Sequence, residues 1–347
     1  MLFILVLLVS GIDGKTCTTF CIKDPGNLVF GRNFDFSTGF GHVIVNKRNM
    51  KKSALILPPE KPVEWVSKYG SVTFNQIGRE LPYGGINEKG LVIEQMWLDE
   101  TIYPEIDSRF GLTELQWIQY QLDNSSTVDE VIASDSLLRI SRQSTAPLHF
   151  LVCDREGNIA IIEYLNGSLI FHTGSLLPIS ALTNDSYEKS IDYIKSFADF
   201  GGTGSIPDTN HSLDRFAKTA SMIKKYENQD VIDYSFDILN FVSQGEATHW
   251  SIVYDIKTMT VYYKTFKNRT IRKFNMFDFD FSCSSPVLYI DIEDHMMDEA
   301  LHFQMYSYET NRELIDKVFN NVEFLRSMPE EGREFMARYP ETTACTE

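Results

Sequence analysis

Cysteine is scarce in this chain. Five residues in 347, Cys17, Cys21, Cys153, Cys283 and Cys345, are too few for a disulfide scaffold, and no CxxC pair suggests zinc. Basic residues are in deficit as well: 32 lysines and arginines face 48 acidic residues, a net charge of −16, which argues against nucleic acid and anionic membranes as partners. After the first residues no hydrophobic run is long enough for a membrane-spanning helix. Tandem repeats and low-complexity linkers are absent, and so are HExxH, G-x-S-x-G, a phosphate-binding loop and a dinucleotide-binding glycine pattern. Gly201-Gly202-Thr203-Gly204 is glycine-rich, but it follows a helix-like segment and precedes Ile206-Pro207, so it reads as a loop. Asp294, His295 and His302 are of ligand type, yet in an acidic tail they read better as scattered surface residues than as a metal site.

What is present begins at the N-terminus. Leu2–Val9 is an apolar run of signal-peptide length, too short to span a bilayer. No basic residue precedes it, and a buried N-terminal strand is the alternative reading. Cleavage after Thr16 would open the mature chain on Cys17, whose thiol and α-amine would then sit on one residue. The amine has an ordinary pKa of about 7.7–8.0, suited to a general base near neutrality. Two strand-like runs follow, Thr18–Lys23 and Leu28–Asn33, joined by the turn residues Asp24-Pro25-Gly26-Asn27. The hairpin returns Arg32, Asn33 and Asp35 to the neighbourhood of Cys17. Arg32 is expected to lower the thiol pKa, and Asp35 to accept a hydrogen bond from the Cys17 amine. Cys21 reads as a small buried hydrophobe. Of the five cysteines, the odd one is the candidate working thiol.

Strand-like runs continue at His42–Asn46, Ala54–Leu57, Ser71–Phe74 and Leu91–Trp97, the last after the turn cluster of residues 84–90. Leu112, Leu115, Ile118 and Leu122 share a helical face, and residues 127–130 read as a capping box. Strands resume at His149–Cys153, Ile159–Tyr164 and Leu169–His172. Helices are expected over Tyr187–Ala198, Leu213–Tyr226 and Val231–Val242, then strands over Trp250–Asp255 and Val261–Phe266. The acidic tail from about residue 291 reads as helical, with a second capping box at residues 310–313. Segregated blocks of strands and helices predict an α+β protein with two helix-covered sheets rather than alternating βαβ units. After a signal peptide over residues 1–16, residues 17–347 are expected to form one domain.

These pieces together resemble the choloylglycine hydrolase (bile salt hydrolase)/penicillin V acylase family of N-terminal-nucleophile amidases. The likeness rests on Cys17-Thr18-Thr19-Phe20, Gly31-Arg32-Asn33-Phe34-Asp35, the hairpin at Gly85–Leu91, Leu182-Thr183-Asn184 and Ser212-Leu213-Asp214-Arg215-Phe216. It implies a four-layer αββα sandwich of two mainly antiparallel sheets and hydrolysis of a linear amide C–N bond. It also implies a nucleophile at Cys17, with Arg32 and Asp35 positioning it. Asn184 would supply an N–H to an oxyanion hole, and Arg215 would sit beside the thiol or the scissile group. No metal or organic cofactor is implied; a homotetramer is, since family members often form one.

The chain departs from the better-known members at Trp97, usually asparagine or tyrosine there, and resembles a Gram-negative branch. Trp97 reads either as a substrate or oxyanion contact or as a core residue ending a strand. The tail exceeds the shorter members. Five N-x-S/T sequons, at Asn124, Asn166, Asn184, Asn210 and Asn268, leave a bacterial or eukaryotic host open. An oxyanion role for Asn184 predicts that it is buried and unglycosylated. The leading expectation is a secreted or periplasmic (lysosomal if eukaryotic) amidase acting on a small N-acyl amide, such as a conjugated bile salt, penicillin V or an N-acyl homoserine lactone. Phe34, Phe36, Trp65 and Trp97 are expected to line the acyl pocket. The alternatives are an N-acylethanolamine- or ceramide-type lipid amidase and a non-catalytic binding protein on the same scaffold.

Overall fold

The computed structural model describes residues 16–293 and 301–347. All of the expected signal peptide but Thr16 therefore lies outside the described residues, as do Asp294 and His295.

The first hairpin forms as its sequence dictates. Asp24 Oδ1 accepts from the backbone N–H groups of Gly26 and Asn27, at 2.6 and 2.7 Å, which closes the turn between Thr18–Lys23 and Leu28–Asp35. Antiparallel pairing then sets Thr18 opposite Asn33 and Thr19 opposite Arg32. These strands centre a six-stranded sheet. Its spatial order is Ala181–Leu182, Thr18–Lys23, Leu28–Asp35, Thr248–Asp255, Thr260–Thr265 and Arg272–Asn275. A second sheet has nine strands, in the order Ser168–Thr173, Ile159–Leu165, Leu148–Cys153, Val92–Trp97, Pro82–Asn87, Ser71–Asn75, His42–Asn46, Leu288–Asp291 and Gln304–Met305. Both are antiparallel throughout.

The two sheets face each other across one apolar core, where Phe20, Phe30 and Phe34 of the first meet Val43, Phe74, Val92 and Met96 of the second. Helices Tyr187–Ile194, Ser212–Lys225 and Val231–Phe241 add Tyr187, Phe216 and Leu239 on the outer side of the six-stranded sheet. Glu114–Asn124 and Val128–Ala133 cover the other sheet through Leu115, Trp117, Ile118 and Val131. The result is the expected αββα layering. The central strands of both sheets, such as Leu28–Asp35 and Leu148–Cys153, are buried on both faces and read as near-continuous runs, whereas Thr260–Thr265 near one edge alternates.

Three local expectations are corrected. Ala54–Leu57 is not a strand: its N–H groups bond to Val63 O, Gln116 Oε1 and Gln143 Oε1 rather than to a neighbouring ladder. The helix from Tyr187 ends at Ile194 rather than Ala198, because Gly202 and Gly204 return to bond Phe197 O and Ser196 O. The tail's capping box is Ser307 with Thr310, three residues before the expected one. Thr127 caps its helix as expected, accepting from Glu130 N.

The tail forms a helical hairpin, Tyr308–Asn321 and Glu330–Arg338, with its own small core of Leu314, Ile315, Val318 and Phe319. It ends as a short strand, Ala344–Cys345, paired with Met50–Ser53, and a Cys283–Cys345 disulfide fastens it. The remaining cysteines, Cys17, Cys21 and Cys153, are free and buried. Among the described residues, no helix is long and apolar enough to cross a membrane.

Candidate active site

Cys17 lies just before the first strand and is 6% exposed. The second strand, running antiparallel, brings three groups back to it. Arg32 Nη2 donates to Cys17 Sγ at 3.7 Å, and the thiol reaches the Asp35 carbonyl at 3.8 Å. The Asp35 side chain is wholly buried. One of its carboxylate oxygens accepts from Thr248 Oγ1, while Oδ2 has no hydrogen-bond partner among the described residues. A bulge between Thr248 and Trp250 sets Thr248 opposite Asp35, so an irregularity in the ladder aims this hydroxyl.

Asn184 and Arg215 come from elsewhere in the chain and meet at the same end of the sheet. Arg215, in the first turn of its helix, donates from Nη1 to Cys17 O and Thr18 Oγ1, each at 2.7 Å, and to Thr16 O at 3.2 Å. Its Nη2 donates to Asn184 Oδ1 at 2.8 Å. Asn184 Nδ2 in turn donates to the Trp97 carbonyl at 2.9 Å, and Asn184 N donates to Ser212 Oγ at 2.8 Å. Cys17, Arg32, Asp35, Asn184, Arg215 and the Trp97 backbone thus meet in one constellation. Asn184 is half-buried rather than buried as expected, because it stands at the rim, but both ends of its amide are engaged. Trp97 ends its strand half-exposed, packed against the second core and lining the cavity beside Cys17, with its indole donating to Asp99 Oδ1 at 2.6 Å, so it sits at the rim where core and cavity meet.

Electrostatically the site is dominated by burial. Burial pushes the Cys17 thiol above its ordinary value, and the Arg32 charge recovers only part of that. The expectation that Arg32 lowers the thiol is right about the pull and wrong about the balance. Burial likewise raises Asp35 to about 7, against the opposing charges of Arg215 and Arg32 and the Thr248 hydrogen bond. Much of the Arg32 charge is spent elsewhere, in a fully buried ion pair with Glu94. Glu94 also accepts from Tyr254 OH at 2.5 Å, and burial raises its carboxyl to about 7. Gly84 makes room for this carboxylate: a Cβ there would collide with it.

Sequence reasoning missed Glu94. The available signal was a charged residue in the otherwise uncharged strand Val92–Trp97, a pattern that marks a buried, paired carboxylate. Tyr83, Gln95 and Glu114 were also missed; with Cys17, Phe34, Phe36 and Trp97 they line an apolar cavity of about 70 Å3 beside the thiol. Trp65 is not among the lining residues: it packs in the other core and donates to Asp123 Oδ2 at 2.7 Å. A larger hollow of about 830 Å3 among the outer helices, near Lys218, Met222 and Phe241, contains none of the cluster.

Comparison with known proteins points to one family. The chain is 28% identical over 251 residues to a penicillin V acylase of Pectobacterium atrosepticum, covering 67% of this chain and 66% of that one. To a bile salt hydrolase/transferase of Bifidobacterium longum it is 22% identical over 306 residues, covering 76% and 96%. The solved penicillin V acylase of Agrobacterium tumefaciens superposes with a TM-score of 0.70 at 26% identity, over 84% of this chain and 98% of that one. The conjugated bile acid hydrolase of Clostridium perfringens shares the fold, with a TM-score of 0.65 at 20% identity. The family model for linear amide C–N hydrolases matches residues 17–289, opening on the buried thiol itself, and the chain therefore belongs to the choloylglycine hydrolase family of linear amide C–N hydrolases.

Proposed function

We propose that this protein is a cysteine amidase whose working form begins at Cys17 and which hydrolyses N-acyl amides with a small apolar or single-ring acyl group. The observation that carries the reading is the gathering of Arg32, Asp35, Asn184 and Arg215 around Cys17, Arg32 and the Asp35 carbonyl at its thiol and Arg215, bonded to Asn184, at its backbone carbonyl, beside an apolar cavity.

In this reading the Thr16–Cys17 bond is cut and the new α-amine hydrogen-bonds to Asp35, whose Oδ2 is otherwise unpartnered among the described residues. The amine takes the thiol proton as sulfur attacks the amide carbon. Arg215 holds the Cys17 carbonyl, so the nucleophile's backbone stays in place. The second Nδ2 hydrogen of Asn184, beyond the one given to Trp97 O, faces the developing oxyanion; one such donor is worth about 2.7–4 kcal/mol of barrier. The proton then passes to the departing amine. Water, deprotonated by the α-amine, finally hydrolyses the thioester.

Phenoxyacyl and similar single-ring amides are favoured over conjugated bile salts for two reasons. The penicillin V acylases are the more identical relatives, and the cavity beside Cys17 is small. The test is N-terminal sequencing of the purified active protein, joined to a panel of penicillin V, N-acyl homoserine lactones and glycine-conjugated bile acids. An active chain with residues retained ahead of Cys17 would refute the mechanism. Cleavage of bile conjugates alone would refute the substrate class.

A further inference from the structure

The cavity beside Cys17 has a wall that the matched family region does not supply. Phe324 and Leu325 line it together with Cys17, Phe34, Phe36 and Leu115. Both belong to the segment joining the tail helices Tyr308–Asn321 and Glu330–Arg338, well beyond residue 289 where the family match ends. Phe324 meets Phe36 edge to face, with ring centroids 6.4 Å apart. Phe36 is the next residue but one after Phe34, on the chain that has just delivered Asp35 to the thiol.

The tail is fastened on both sides of this segment. Ahead of it, Asn311 Oδ1 accepts from Arg79 N at 2.9 Å, while its Nδ2 donates to Ala337 O at 3.0 Å and so ties the two tail helices together. After it, Tyr339 OH donates to Ser53 O at 2.9 Å and accepts from Gln116 Nε2 at 2.8 Å. The Ala344–Cys345 strand and the Cys283–Cys345 disulfide complete the anchorage. A segment held this way is a wall rather than a free flap. With it present the cavity measures about 70 Å3. That is less than the ~150 Å3 of a cavity that takes up benzene, and far less than the ~300–1,000 Å3 of ordinary ligand pockets.

We propose that Phe324 and Leu325 are the specificity-determining residues that cap the acyl pocket, so that the tail limits the substrate to short-chain or single-ring acyl groups and excludes fused-ring acids. Rotation of these two side chains admits one ring; a steroid nucleus would require the whole anchored segment to leave. The inference rests on the amidase reading of Cys17 for its kinetic form, though not for the existence of the wall.

The experiment compares the full processed protein with Leu325→Ala and with the double variant Phe324→Ala/Leu325→Ala. Phenylacetylglycine and glycocholate share one leaving amine and differ only in the acyl group. The ratio of kcat/KM for glycocholate to that for phenylacetylglycine is expected to rise at least tenfold in the double variant and by less in the single one. An unchanged ratio, or a wild-type preference for glycocholate, would overturn the proposal. If the double variant does not fold, the single variant decides by the same ratio. Should no protein cleave either amide or penicillin V, the amidase reading fails by itself. The wall is then judged by calorimetric titration with phenylacetate and cholate: cholate binding gained only on truncation supports it, and equal cholate affinity in wild type and variants refutes it.

Discussion

Arg32 is a fully buried guanidinium, and two groups compete for its charge, the Glu94 carboxylate and the Cys17 thiol. Glu94→Gln would leave the cation unmatched in a low-dielectric site. Removing one partner of a buried pair typically costs about 3–5 kcal/mol, so the variant should unfold at markedly lower urea. The same change should make the thiolate the remaining compensating charge. The Cys17 pKa is therefore expected to fall, shifting the pH profile of thiol alkylation toward acid; an unshifted profile would show that Arg32 and Cys17 are not electrically linked. Asp35 gives a second test. Its folded value of about 7 lies above the ordinary carboxylate value near 3.9, so folding binds a proton between those pH values. Its contribution is full below about pH 4 and lost as the pH rises through about 7. In the chain still carrying Thr16, Asp35→Asn should make the melting temperature fall less steeply between pH 4 and 7, while Glu94, Glu114 and Asp123, also raised by burial, keep part of the slope. Cys17→Ser should abolish nearly all turnover and leave the circular dichroism spectrum unchanged.

Among elements, the short Gly84–Glu94 contact between paired strands decides where the Glu94 carboxylate sits. Gly84→Ala is expected to displace it and so reproduce part of the Glu94→Gln effect on thiol alkylation without touching a charged residue. The tail is the other element with a separable contribution. The Cys283–Cys345 bridge spans 62 residues of sequence, and chain-entropy arguments give such a loop about 4 kcal/mol at most. Cys345→Ser should lower stability by up to that amount in denaturant titrations. The elements were legible where their signals were local. The Asp24–Asn27 turn, the Thr127 cap and most strands follow from residues within a few positions. They failed where a distant group intervened, as at residues 54–57, whose backbone is satisfied by Gln116 and Gln143 rather than by a strand.

For the whole molecule, the sandwich matters because it gathers sequence-distant residues at one end. Asn184 and Arg215 stand some 170 and 200 positions from Cys17, yet Arg215 touches both Cys17 and Asn184. The Asn184 amide is half-buried and bonded at both ends, so a glycan there is sterically incompatible with the site, whereas Asn166 and Asn210 are exposed. Peptide mapping of protein secreted from a glycosylating host should find Asn184 bare.

The sequence by itself determined the hairpin that pairs a cysteine with an arginine and a carboxylate, because adjacent strands with a short turn leave little freedom in register. It also determined the α+β layering, through segregated blocks of strands and of helices with one apolar stripe. Only the tertiary structure decided that burial, not Arg32, sets the thiol's net shift, since desolvation depends on everything packed around a group. Only it revealed Glu94 as the partner of Arg32 and the tail as a wall of the acyl pocket, because both contacts join segments whose separation along the chain carries no local signal.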